Sequence, residues 1–66
     1  MQVSVNGECR QVADGITVAQ LLAELRLSTK PVAVEVNLEL VPRQRHAQHG
    51  LVEGDRLEIV TLVGGG

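Results

Sequence analysis

The chain has no phenylalanine, tyrosine or tryptophan among its 66 residues, and only one cysteine, one methionine and two prolines. Each shortage excludes something. Without aromatic rings there is no platform on which nucleic-acid bases could stack. Six Lys and Arg against eight Asp and Glu leave a net charge of −2, which is the wrong sign for a phosphate backbone. A lone cysteine, Cys9, closes no internal disulfide, so nothing points to an oxidising compartment. No apolar run approaches the roughly 20 residues of a membrane span. The opening "MQVSVNGE" has neither the positive region nor the apolar stretch of a secretion signal. The expected location is the cytoplasm.

What remains is a globular composition, 44% hydrophobic with Val, Leu and Ile dominant, in a chain short enough to form one domain. A domain of this size buries only about 60% of the surface its unfolded chain exposes. Its few apolar positions must therefore be well patterned, and they are. "MQVSV" alternates, with Met1, Val3 and Val5 on one side, and reads as a half-buried strand. Asn6-Gly7 is the signature of a two-residue hairpin turn, because both positions need positive φ. The returning strand "ECRQV", residues 8–12, pairs Val5 with Glu8 and Ser4 with Cys9. That register puts Cys9 on the outer face, Arg10 on the opposite one, and a polar strand at the sheet edge.

The period then changes. Thr17 followed by Gln20 is a capping-box pair, with Ile16 and Leu21 placed to staple the helix entry. Val18, Leu21, Leu22 and Leu25 form one apolar stripe on a helix of about two to three turns. This helix should fade by Ser28-Thr29, ahead of Pro31. "VAVEV", residues 32–36, alternates with its valines inward, and Leu40-Val41 is a short apolar pair closed by Pro42. "RQRHAQHG" reads as a turn or a single helical turn, and Glu53-Gly54-Asp55 as a tight turn. The last strand, "RLEIVTLV", sends Leu57 and Ile59 inward and Glu58, Val60 and Leu62 outward.

A right-handed crossover brings the last strand parallel to the first in the middle of the sheet. The predicted fold is therefore α+β, a β-grasp arrangement in which a mixed sheet carries one main helix on one face. Residues 1–63 make the domain, and 64–66 a flexible C-terminal glycine tail.

That tail, "TLVGGG", admits two readings. A glycine-rich end is commonly slack, since termini tolerate disorder. Here the glycines follow an apolar strand directly and put an α-carboxylate on Gly66 at the end of a thin, unbranched arm. With no Cβ to block backbone approach, such an arm can enter a narrow channel. Its carboxylate, ionised at neutral pH and a poor electrophile, must be activated before it reacts, for instance as an acyl adenylate. The arm makes sense as a substrate handle.

The element order, "GITVAQLL", "VAVEVNLELVPR" and the ending "EGDRLEIVTLVGGG" together resemble, over the whole chain, the ThiS-type sulfur carriers of thiamine biosynthesis, within the ubiquitin-like β-grasp family. The "VPR" at Val41-Pro42-Arg43 is the most family-specific part. The resemblance implies that Gly66 is adenylated by an E1-like, ThiF-type adenylyltransferase using ATP. A sulfur donor, a cysteine desulfurase or sulfurtransferase, then converts it to a thiocarboxylate. A ThiG-type thiazole synthase takes that sulfur into the thiazole ring. The carrier is then a protein cosubstrate, not an enzyme, and binds no cofactor itself; the ATP site belongs to its partner. Gly64 and Gly65 are the tail, and Gly66 the site of modification. The alternatives are a carrier like the small subunit of molybdopterin synthase, or a ubiquitin-like protein modifier or interaction module.

Other residues fit chemistry less well. Cys9 has no nearby cation or helix terminus to activate it, and reads as a bland strand cysteine. His46 and His49 stand at helical spacing but lack a third ligand, so they read as polar loop residues and not as a zinc site. Arg43 and Arg45 beside them suit a solvated basic loop. Val60, Leu62 and Val63, with Ala33 on the adjacent strand, are expected to form a docking patch at the root of the tail.

Overall fold

A computed structural model describes residues 1–62; Val63, Gly64, Gly65 and Gly66 lie outside the described residues. The elements are β1 (Gln2–Val5), β2 (Glu8–Gln11), α1 (Val18–Glu24), β3 (Val32–Val36), β4 (Glu39–Leu40), a 3-10 turn (Arg43–Arg45) and β5 (Arg56–Thr61). They form one five-stranded sheet in the order β2-β1-β5-β3-β4. β1 and β5 run parallel, and every other pair is antiparallel. This is the expected β-grasp order, with first and last strands adjacent at the centre.

The first hairpin keeps the expected register, Val5 opposite Glu8 and Ser4 opposite Cys9. Asn6 and Gly7 both adopt positive φ, 51° and 86°. The helix begins with a complete capping box. The Gln20 N–H donates to Thr17 Oγ1 at 3.1 Å, and the Thr17 N–H to Gln20 Oε1 at 2.9 Å. The first two helical N–H groups, which the helix cannot satisfy, are taken up by the loop beneath. Val18 N donates to His49 O at 3.0 Å and Ala19 N to His46 O at 2.9 Å.

The helix ends sooner than its apolar stripe suggests, at Glu24 with Leu25 as cap. Arg26 takes φ 62°, its N–H reaches Ala23 O at 3.0 Å, and Leu27 N reaches Leu22 O at 2.8 Å. That pair of bonds is a Schellman motif with arginine where glycine is usual. Leu25 is consequently only partly buried.

The strand after the helix also folds back earlier than Leu40-Val41 implies. Asn37 and Leu38, at φ 52° and 71°, make a two-residue turn, and Val36 faces Glu39. Val41 leaves the strand and is buried, donating its N–H to Val34 O at 2.8 Å. Between helix and sheet lies one aliphatic core in which Val3, Val18, Leu21, Val34 and Leu57 are fully enclosed. The long connection after β4 contributes Val41, His46 and Leu51 to it.

Candidate functional site: the last strand and the open sheet face

β5 is the strand that leads to the tail, and its alternation separates two environments. Leu57 and Ile59 are buried under the helix, while Arg56, Glu58 and Val60 are exposed on the opposite face. β3 accompanies β5 along its length, from Val36 opposite Leu57 to Val32 opposite Thr61. β1 pairs with its start alone, Ser4 with Arg56 and Val5 with Leu57, before turning away.

The Asn6 side chain carries the pairing on beyond that point. Its Oδ1 accepts from Ile59 N at 2.8 Å and its Nδ2 donates to Ile59 O at 3.1 Å, so the amide imitates one more residue of strand. Asn37 holds the start of β5 through one backbone bond: the Arg56 N–H donates to its Oδ1 at 3.0 Å, while its Nδ2 donates to the Asp55 side chain, at Oδ1, 2.9 Å away. Asp55 is buried and accepts the Val52 N–H on its second oxygen at 2.9 Å. Beyond β5, the Leu62 N–H donates to Pro31 O at 2.9 Å. The two asparagines are legible as turn formers, because asparagine tolerates the left-handed region. Their grip on β5 is not, since nothing local indicates which distant strand a turn amide will meet.

On the open face Val60 lies opposite Ala33, Glu58 opposite Glu35, and Glu35 opposite Leu40. Val60 is 57% exposed and Leu40 65%. Alternation alone would put Leu62 beside Val60. Regular pairing stops at Thr61, however, and Leu62 borders a hollow that also touches Leu22, Val32, Pro31 and Arg43. Leu62 therefore sits where the open face meets the edge of the molecule, half exposed. Val63 and Gly64–Gly66, expected to complete the patch and the arm, lie outside the described residues.

Cys9 is free and exposed on the open side of the edge strand. Arg10 lies opposite Val3, on the helix side, with its guanidinium 4.0 Å from Glu24. His46 differs from expectation. It is 7% exposed, not part of a solvated loop, and its Nε2 lies 3.0 Å from Val41 O. The reason is the apolar pair Val41 and Leu51 on either side of the loop, whose burial draws the loop under the helix. Among the described residues no group of three or more His, Cys, Asp or Glu is placed to hold a metal ion, and no helix is long and apolar enough to cross a membrane.

The family model described as "ThiS family" matches residues 3–66. The sulfur carrier protein ThiS of Escherichia coli is 35% identical over 66 residues, which is the full length of both chains. The thiazole synthase of Paramagnetospirillum magneticum is 47% identical over the same 66 residues, and the chain spans about a fifth of that protein, 20%. The crystal structure of the thiamine biosynthesis protein ThiS from Geobacter metallireducens superposes with a TM-score of 0.85 at 32% identity, covering all of both chains.

Proposed function

The chain belongs to the ThiS family, and on that premise we propose that it carries sulfur for thiamine biosynthesis on Gly66. The observation that carries this reading is the end-to-end match with the Escherichia coli sulfur carrier, equal in length and without gaps in coverage. In the proposed cycle the Gly66 carboxylate attacks the α-phosphorus of ATP on an E1-like enzyme, and pyrophosphate leaves. The terminal sulfur of a donor protein's persulfide then attacks the acyl carbon and AMP leaves, giving an acyl disulfide. A second thiol attacks the donor's sulfur in that bond, forming a disulfide with the donor and releasing the thiocarboxylate. The adenylate needs an enclosed, water-poor site, and an arm of glycines fits such a channel because no Cβ obstructs it.

Thiazole synthase is the proposed acceptor. Support comes from the thiazole synthases that contain a stretch similar to this whole chain, so that carrier-like and synthase segments occur in one polypeptide. Tethering sulfur on a protein raises its effective concentration at the acceptor. The chain acts as a cosubstrate, with the activating chemistry on its partners. Val60, Leu62 and Val63 are the proposed docking residues at the root of the arm.

The test is the intact mass of the 66-residue chain after incubation with an E1-like adenylating enzyme, ATP and a sulfur donor. The expected result is a gain equal to exchange of one oxygen for sulfur, absent from a variant lacking Gly66. An unchanged mass with a demonstrably active enzyme, or attachment to lysines of other proteins, would overturn the reading.

A further inference from the structure

Three observations on the open sheet face lie together. The first is the pairing of Glu35 with Glu58. The two stand directly opposite on antiparallel strands, where Cβ atoms are about 5 Å apart and like charges repel. Second, neither glutamate is in an ion pair among the described residues. The ion pairs among the described residues join Met1 to Asp14 and Arg10 to Glu24, and Arg56, two residues before Glu58 on the same face, is in neither. Third, Leu38 holds φ 71° at the β3–β4 turn while 87% exposed. That conformation costs a residue with a side chain roughly 1–2 kcal/mol. Leu38 borders the same shallow hollow as Arg56 and Glu58. Around the acidic pair stand Ala33, Leu40 and Val60.

We infer that this face receives an arginine of the adenylating enzyme, whose guanidinium sits between Glu35 and Glu58 while Leu40, Val60 and Leu38 supply apolar contacts around it. The inference rests on the sulfur-carrier reading above. A guanidinium fits because its five donors, spread in a plane, can serve two carboxylates at once, which a single ammonium does less well. The repulsion between the two glutamates is present in the free protein and relieved in the complex. Backbone strain such as that at Leu38 clusters at active sites, ligand clamps and switch regions. The apolar residues around the pair displace water on docking and strengthen the ion pair they surround. The face also continues, through Val60, into the strand that delivers Gly66, so recognition and delivery share one element.

The test measures binding to the adenylating enzyme by calorimetry, together with thermal unfolding of the free chain, for wild type, E58Q, E35Q and E58K. Each Gln variant is expected to bind about tenfold more weakly, and E58K more weakly still. Raising the salt concentration should weaken the wild type more than either Gln variant, each of which keeps one carboxylate for the guanidinium. The free chain should melt at an unchanged or higher temperature in all three, since each removes repulsion. A merely structural role for the glutamates would lower it. L38G should likewise keep or raise the melting temperature while weakening binding. If wild type binds and the glutamate variants bind equally well, the inference is overturned and the sulfur-carrier reading stands. If wild type neither binds nor is adenylated, both fall.

Discussion

The two faces of the sheet are built from the same alternating strands but solve opposite problems. Under the helix, β1, β3 and β5 contribute Val3, Val34 and Leu57, all enclosed, and the loop after β4 closes the remaining gap with Leu51. On the other face the same three strands present Ser4, Glu35 and Glu58, with Val60 and Leu40 exposed among them. The helix face is optimised for burial: its fully enclosed residues are all aliphatic, and the buried polar side chains His46 and Asp55 lie in the connections with hydrogen-bond partners. The open face carries like charges in register and apolar groups in water, which stability alone would not select. The difference teaches that a domain with one small core can keep its fold on one side of a sheet and leave the other side free. β5, central and shared by both, connects them.

The comparison is broken most severely from the buried side. Leu57→Ala removes an enclosed side chain at the centre of the sheet. It is expected to cost about 2–5 kcal/mol, a large part of the stability of a domain this small. Urea unfolding followed by circular dichroism should show the midpoint collapse. The next largest effect is expected at the clamp on β5. Asn6→Gly keeps the left-handed turn but deletes both side-chain bonds to Ile59. A loss of about 1–3 kcal/mol is expected, with faster amide exchange at Ile59 than at Leu57. Unchanged protection at Ile59 would show that the amide is incidental.

The third change sharpens the comparison by stabilising the helix side without touching the open face. Arg26→Gly relieves the positive φ at the helix end and should raise stability by about 1 kcal/mol. The smallest expected effect is from Val60→Asp. At an exposed position on the open face it should cost less than about 1 kcal/mol, from the poorer strand former and the added carboxylate near Glu35 and Glu58.

Much of this fold was legible in the sequence because its signals are local. The capping box at Thr17 and Gln20, the Asn6-Gly7 turn and the register it sets all appear as the residues imply. So does the parallel placement of β1 and β5. The errors fall where residues act against their own preferences or through distant partners. Arg26 and Leu38 adopt positive φ, which neither side chain favours, so the early helix end and the early turn left no trace in composition. His46 looked like a loop residue because burial of a polar side chain depends on what packs over it. At the candidate site, alternation placed Val60 on the open face, but could not foresee that pairing would stop before Leu62. The clamps by Asn6 and Asn37 and the facing of Glu35 with Glu58 required the tertiary register.

The most direct test of this division between the faces is the yield of thiocarboxylate on Val60→Asp relative to wild type. The same adenylating enzyme, ATP and sulfur donor would be used, with the product read as intact mass. The account predicts a yield reduced about tenfold or more, in a protein that loses less than about 1 kcal/mol of stability. Equal yields from the two proteins would contradict it, because recognition would then not reside on the open face.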